Sequence, residues 1–350
     1  MQVDPALLDP VWGCRAVRGE SLLFVADQPD RPATAPLLFT PTGGVSLTTA
    51  DGATGFVEGQ DFVVDAPGRR LHLVPGSTVP CVTRDQLYPA APDGDAFMHA
   101  RGNPSRRLRW AEGDAFHRLQ TAASYAHAGD WPGAVPAAAG HDLPAAMARL
   151  AGGLPLTLTV TGDSISEGYN ASGFVGAPPW QPPYATLVAA GLERRHGSAV
   201  TLHNLAVAGT TSNDGWGAAD AVAVTDPHLV VVAFGMNDAG YMDAAEYQSN
   251  IRQILGTVRQ RASAAEFVLV APMLPHPDWH YTPPERFPAY RDALAALCGV
   301  GVVLADVTRL WTDVLTRKRF CDVTGNGINH PNDFGHRLYA QCVLECCRAE

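Results

Sequence analysis

The chain has 350 residues, of which 46% are apolar and 17% charged, with a formal net charge of −10 and a pI near 5.6. This composition excludes a disordered chain and provides for a sizeable core, enough for two domains or for one large domain with an extension. The acidic balance, with no basic run, argues against nucleic acid or an anionic membrane as a partner.

The first ten residues, MQVDPALLDP, lack the positive start, the apolar core and the cleavage site of a secretory signal peptide. No uninterrupted apolar stretch approaches the roughly 18 residues of a membrane span. The seven cysteines include no Cys-x-x-Cys pair, which argues against a zinc site, and the cluster Cys342, Cys346 and Cys347 is typical of buried apolar positions. We therefore expect a cytoplasmic protein that holds no metal.

Residues 1–135 have the pattern of a β-rich domain. Short apolar runs alternate with Gly and Pro turn signals, and residues 61–65 and 70–74 predict a hairpin. Short strands of this kind favour a small β-sandwich, such as a jelly roll. The Ala-, Gly- and Pro-rich residues 128–140 are typical of a linker, so we expect a second domain over residues 136–350.

Strands and helices alternate in this second region. Apolar runs predict strands at residues 154–161, 200–204, 229–234, 267–271 and 300–306. Helices are predicted between them at residues 143–150, 183–196, 244–261 and 286–297. The alternation predicts a parallel sheet covered by helices on both faces. Ligands bind such sheets beyond the carboxyl ends of the strands, so the chemistry is expected there.

Four polar segments lie at or near these strand ends. Gly162-Asp163-Ser164 follows the first strand, residues 204–212 include the end of the second, Gly235-Met236-Asn237-Asp238 follows the third, and residues 326–336 lie near the C-terminus. Acyl transfer needs a hydroxyl that can lose its proton to an imidazole, and two or three fixed donors for the oxyanion. The four segments contain such groups.

In order and spacing these segments resemble blocks I, II, III and V of the SGNH (GDSL-like) hydrolases, over about residues 150–345. The resemblance implies a three-layer α/β/α fold and a serine esterase that needs no cofactor. It implies Ser164 as the nucleophile and His330 as the general base and then the acid. It also implies an oxyanion hole made by the Ser164 N–H, the Gly209 N–H and the Asn237 side-chain amide. A side chain at Gly209 would crowd the tetrahedral centre.

One position departs from the family pattern. The family places an Asp three residues before the His to orient the imidazole, and here that position is Gly327. With a one-residue insertion, Asn326 could accept the Nδ1–H through its carbonyl oxygen, and Asn329 is also near. The competing orienters are a backbone carbonyl, which gives a Ser–His dyad, and Asp322 or Asp333 from the same loop. We favour the dyad, and an uncharged orienter predicts a slower enzyme.

Aromatic residues indicate where a substrate would bind. Trp279 and Tyr281 lie in the loop after the fourth predicted strand, and Trp180 follows the nucleophile. These side chains suit stacking on sugar rings, and they would equally suit a self-packed loop. Together with a two-domain plan similar to some carbohydrate esterases, they predict removal of O-acetyl groups from a poly- or oligosaccharide. The alternatives are a thioesterase or lipid esterase with a long apolar slot, and a non-catalytic glycan-binding protein.

Overall fold

The computed structural model describes residues 4–90 and 97–348. The strands are β1 Ala16–Leu22, β2 Phe24–Ala26, β3 Thr34–Pro36, β4 Ser46–Thr49, β5 Gly55–Phe56, β6 Phe62–Asp65, β7 Arg70–Leu73, β8 Cys81–Thr83, β9 Phe97–Ala100, β10 Asn103–Arg109, β11 Thr121–Ala126, β12 Leu156–Gly162, β13 Val200–Asn204, β14 Leu229–Ala233, β15 Glu266–Ala271 and β16 Val302–Asp306. The α-helices are α1 Arg84–Leu87, α2 Pro144–Ala151, α3 Ser164–Glu167, α4 Ser172–Val175, α5 Tyr184–His196, α6 Ser212–Gly217, α7 Ala219–Val224, α8 Ala244–Arg261, α9 Phe287–Ala295, α10 Val307–Leu315, α11 Phe320–Val323 and α12 Asp333–Cys346. Short 3-10 helices lie at Pro5–Leu8, His117–Leu119, Gly140–Asp142, Asp238–Gly240 and Pro284–Arg286.

The C-terminal region contains a five-stranded parallel sheet in the order β13-β12-β14-β15-β16. Every residue of β14 and β15 is buried, as expected for strands covered on both faces. Two groups of helices surround the sheet: α5 packs on α12, whereas α8 packs on α6, α7 and α9. The predicted parallel α/β architecture is confirmed, and the strand at 200–204 and the helix at 244–261 have the predicted bounds.

The described residues of the N-terminal region form three sheets. One is antiparallel with the order β1-β11-β4-β5, a second has the order β6-β7-β3-β2-β8, and β9 pairs with β10. The predicted hairpin is the antiparallel pair of β6 and β7. The apolar run at residues 21–25, in contrast, is divided at Leu23 between two sheets, because Asp322 accepts the Leu23 N–H at 2.9 Å in place of a strand partner. A jelly-roll topology and the boundary at residue 135 remain predictions.

A buried ion pair joins the two regions. Lys318, the only lysine of the chain, donates to the Glu20 carboxylate at 2.6 Å, and neither side chain is exposed. Lys318 also donates to the Pro36 carbonyl at 2.6 Å, while Glu20 accepts from the Leu38 N–H and the Tyr125 hydroxyl. A buried pair is tolerated only when its remaining hydrogen-bonding capacity is satisfied, as it is here.

Further observations concern the clustered cysteines, the length and apolarity of the helices, and groups of possible metal ligands. Cys342, Cys346 and Cys347 are buried with their thiols unpaired, as predicted. Over residues 4–90 and 97–348, no helix has the length and apolarity that crossing a bilayer requires. The same residues contain no group of three or more His, Cys, Asp or Glu side chains arranged to bind a metal.

Candidate active site

Ser164 lies at the turn between β12 and α3, which is the carboxyl edge of the sheet. It is the first residue of α3, and Asp163 caps the helix by accepting the Ile165 N–H at 3.0 Å. Gly162, the last residue of β12, has no room for a side chain, since an added Cβ would lie 2.5 Å from both the Ala233 carbonyl oxygen and the Ser166 hydroxyl. The turn that carries Ser164 is therefore tightly packed.

The predicted nucleophile and base lie together. Ser164 Oγ is 2.8 Å from His330 Nε2, although 166 residues separate them along the chain. Each residue is only 5% exposed. This distance is within the range over which a hydroxyl proton passes to an imidazole.

Gly209 and Asn237 lie in adjacent loops. The Asn237 amide nitrogen donates to the Thr210 carbonyl at 2.9 Å, and the Thr210 hydroxyl donates to the Val207 carbonyl at 2.7 Å. Gly209 has a φ of 79°, a conformation that favours glycine, and an added Cβ would point into open space. Within the described part of the chain, neither the Ser164 N–H nor the Gly209 N–H has a hydrogen-bond acceptor, so both are available to a ligand.

Asn170 contacts the opposite nitrogen of the imidazole. Its Oδ1 lies 2.8 Å from His330 Nδ1. Its Nδ2 donates to the Gly113 carbonyl at 3.0 Å and to the Gly325 carbonyl at 3.2 Å, which fixes the amide with its oxygen toward the ring. Asn170 therefore accepts an Nδ1–H, which leaves Nε2 as the acceptor that faces Ser164.

Glu112, from the N-terminal region, contacts the same nitrogen. Both of its carboxylate oxygens lie 3.3 Å from His330 Nδ1, and Oε1 accepts from Asn326 Nδ2 at 3.0 Å. Burial raises the pKa of Glu112, but the hydrogen bond and charge of His330, with the Asn326 bond, outweigh it and hold the pKa below its usual value. Glu112 is therefore ionised at neutral pH.

Asn326, one of the alternative orienters weighed beside the favoured dyad, does not direct its carbonyl oxygen to the ring. Its Oδ1 accepts three backbone N–H groups of its own loop, from Ile328 at 3.1 Å and from Asn329 and His330 at 3.0 Å each. Its amide nitrogen, and not its oxygen, lies 3.0 Å from His330 Nδ1, and that nitrogen donates to Asn329 Oδ1 at 2.8 Å. The backbone of the turn thus takes up the oxygen through which Asn326 could have accepted from the imidazole.

The two candidate aspartates of the same loop are also engaged elsewhere. Asp322 is fully buried and pairs with Arg319, in addition to accepting the Leu23 N–H. Asp333 accepts the Ser172 N–H at 2.7 Å. Sequence reasoning missed the two groups that do accept at Nδ1, Asn170 and Glu112. The available signal was a glycine where the family carries an Asp.

The aromatic candidates have different surroundings. Trp279 is only 7% exposed and packs on Tyr281 with ring centroids 5.4 Å apart, so it belongs to the self-packed loop that was the alternative. Tyr281 is 37% exposed and lies against Gly240, close to the Asn237 segment. Trp180 is 47% exposed. Tyr281 and Trp180 can therefore still meet a ligand, whereas Trp279 cannot.

Comparisons with known proteins show which solved structures this chain is similar to. Two solved structures of a two-domain esterase (CEX) active on acetylated mannans share 20% and 21% identity, cover 62% of this chain each, and have TM-scores of 0.47 and 0.49. The chain spans 53% and 56% of their length. An acetyl xylan esterase, AlAXEase, shares 17% identity over 54% of this chain and 98% of its own, with a TM-score of 0.42. The comparison with curated proteins gave no match.

The family itself follows from the sequence match. A model of the GDSL-like Lipase/Acylhydrolase family matches residues 160–338, just over half of the chain. The matched range includes Ser164, Gly209, Asn237 and His330 but excludes Glu112. The predicted resemblance is confirmed: the chain belongs to the GDSL-like lipase/acylhydrolase family.

Proposed function

We propose that this chain is a serine esterase that removes O-acetyl groups from a carbohydrate through an acetyl-Ser164 intermediate. The observation that carries the proposal is the 2.8 Å contact between Ser164 Oγ and His330 Nε2. It is supported by the acceptors at Nδ1, which keep the proton on that nitrogen and leave Nε2 free to act as a base.

In the acylation step His330 Nε2 takes the Ser164 hydroxyl proton while Oγ attacks the acetyl carbonyl carbon. The π electrons of the carbonyl move to its oxygen, which the Ser164 N–H, the Gly209 N–H and Asn237 stabilise. Asn237 uses one amide hydrogen on Thr210, which leaves the second for this oxyanion. Collapse of the intermediate breaks the bond to the sugar oxygen, and His330 Nε2–H protonates that leaving group.

Deacylation repeats these steps with water. His330 Nε2 removes a proton from the water as its oxygen attacks the acetyl-Ser164 carbonyl, and the same donors hold the second oxyanion. The ester bond to Oγ then breaks, acetate leaves and the serine regains its proton.

Exposed aromatic side chains near the site support a carbohydrate as the substrate. Tyr241 and Tyr281 are 69% and 37% exposed, and Tyr281 lies against the segment that follows Asn237. On the His330 side, the ring of Tyr169 lies 5.2 Å from the imidazole and 4.9 Å from Phe174, which is 42% exposed. Clustered exposed aromatic side chains are typical of ligand sites, and their flat apolar faces suit the C–H faces of sugar rings.

The test compares acyl chains and leaving groups. Hydrolysis of p-nitrophenyl acetate, butyrate and decanoate is measured for the natural chain and for Ser164→Ala, and acetate release is measured from acetylated gluco-, manno- and xylo-oligosaccharides. We expect hydrolysis that falls from acetate to decanoate, depends on Ser164 and extends to at least one sugar series. A preference for decanoate would favour the lipid esterase, and no hydrolysis of any ester would favour a binding protein.

A further inference from the structure

We propose that Glu112 is the carboxylate that positions the His330 imidazole, so that this one residue of the N-terminal region completes the catalytic site. The inference rests on the proposed esterase function and adds a positioning residue that lies outside the family-matched range of residues 160–338. Glu112 contacts the imidazole and not the substrate, and it acts through His330.

The N-terminal segment occupies the space that a side chain three residues before His330 would need. Gly327 has a φ of 91°, and an added Cβ would overlap the Arg109 carbonyl oxygen and lie 2.6 Å from the Phe116 ring. An Asp at this position would be strained by its backbone and blocked by its neighbours. The segment that excludes this side chain is the one that brings the Glu112 carboxylate to Nδ1.

Hydrogen bonds hold the segment on both sides of Glu112. The Ala111 N–H donates to the Asn326 carbonyl at 3.2 Å, and the Gly113 carbonyl accepts from Asn170 Nδ2 at 3.0 Å. The residues before and after Glu112 are therefore anchored to the two asparagines that contact the imidazole. This anchoring fixes the carboxylate relative to His330, which a positioning group requires.

The donors and acceptors around Nδ1 are consistent with an anionic Glu112. Asn326 presents an NH₂ group, which cannot donate to a nitrogen that already carries a proton, and it donates instead to Glu112 and Asn329. Nδ1–H is thus left with the Asn170 oxygen and the Glu112 carboxylate as acceptors. Asn170 fixes the tautomer, and only Glu112 supplies the negative charge that stabilises an imidazolium.

A pH profile separates this role from a packing role. The titratable groups that face the His330 ring are Glu112, Tyr169 and His336. Of these, only Glu112 is a carboxylate, and its pKa is held below its usual value. Replacing it by Gln keeps the shape and removes the charge, so the protonated imidazole becomes less stable and the acid limb of kcat/KM shifts to lower pH.

The experiment compares Glu112→Gln, Glu112→Asp and the control Asp114→Asn on p-nitrophenyl acetate from pH 5 to 9. Asp114 lies two residues further on, pairs with Arg118 on the surface and makes no contact with His330. We expect kcat/KM of Glu112→Gln to fall about 10- to 100-fold, with its acid limb at lower pH. This loss is smaller than that expected in a catalytic triad whose acid alone orients the imidazole, because Asn170 still fixes the tautomer here. Glu112→Asp should keep the natural acid limb at an intermediate rate, and Asp114→Asn should stay within about twofold of the natural rate.

An acid limb that is unchanged in Glu112→Gln overturns the inference, and so does a loss no larger than that of Asp114→Asn. If Glu112→Gln does not fold, as judged by thermal melting, Glu112→Ala decides: an acid limb that stays at the natural position then overturns the inference. Failure of the esterase proposal has another signature, because the natural chain would then show no hydrolysis that depends on Ser164.

Discussion

A side chain at position 327 should loosen the N-terminal segment from the imidazole loop. In Gly327→Ala the new methyl carbon overlaps the Arg109 carbonyl oxygen and lies 2.6 Å from Phe116 Cζ, at a backbone φ of 91°. The left-handed backbone costs about 1–2 kcal/mol and the overlap about 1–3 kcal/mol, so the free energy of unfolding should fall by about 2–5 kcal/mol. With an unfolding entropy of about 2.1 cal/mol/K per residue, this lowers Tm by about 3–7 °C.

Calorimetry and ester hydrolysis measure the two consequences. The matched control is Gly153→Ala, because Gly153 also has a positive φ, 69°, but nothing lies within 4 Å of its added Cβ. Gly153→Ala has the cost of the left-handed backbone but no steric overlap, so its Tm should fall by about 1–3 °C and its kcat/KM should stay natural. Gly327→Ala should lose both stability and activity, since any shift of residues 109–116 moves Glu112 away from His330.

The reasoning is refuted if Gly327→Ala melts no lower than Gly153→Ala and hydrolyses p-nitrophenyl acetate at the natural rate. That result would mean that the segment yields without strain and that the distance from Glu112 to the imidazole has no kinetic effect. A loss of stability alone, with natural activity, would retain the packing argument but contradict the role of Glu112.

Three further changes test other features. Lys318→Met leaves the Glu20 carboxylate buried without a cation, so urea unfolding should show a loss of about 3–5 kcal/mol that Glu20→Gln in the same chain partly restores. Gly256→Ala places a methyl group on the exposed face of α8 with nothing within 4 Å, and should raise the urea midpoint by the equivalent of about 0.5–1 kcal/mol at an unchanged m-value. Burial, with a smaller contribution from Asp238, raises the pKa of Asp163 to about 7, so the stability contributed by its neutral form is lost as pH rises from about 4 to 7. Asp163→Asn has no carboxyl group and so lacks this pH-dependent stability, which is at most about 4 kcal/mol. The Tm of Asp163→Asn should therefore decline less between pH 4 and 8 than the Tm of the natural chain. Equal declines would contradict the raised pKa of Asp163.

The elements that carry the reacting groups could be predicted because their signals are local. The strand at 200–204 alternates Val and Leu with polar residues, and the helix at 244–261 has a helical period and an Asp N-cap, so each is determined by neighbouring residues. Because the strands of a parallel sheet run in the same direction, their carboxyl ends then lie at one edge. Ser164 and His330 consequently could be paired from the sequence although they are far apart.

The orientation of the imidazole could not be predicted in this way. Glu112 and Asn170 lie 218 and 160 residues from His330, and no periodic pattern links them to it. Asn326 was the local candidate, but the three N–H groups of its own turn compete for its oxygen and satisfy it first. A glycine where the family carries an acid was informative, because it indicated that another part of the chain approaches closely.

Enclosure of the single lysine has a practical consequence for experiments with reactive esters. In the folded protein the Lys318 amine is fully shielded, so no lysine side chain is accessible to succinimidyl reagents or to the activated esters used as substrates. Once the N-terminal and C-terminal regions separate, that amine becomes reactive. Covalent modification of Lys318, followed by mass spectrometry, would therefore count the molecules in which this contact has opened.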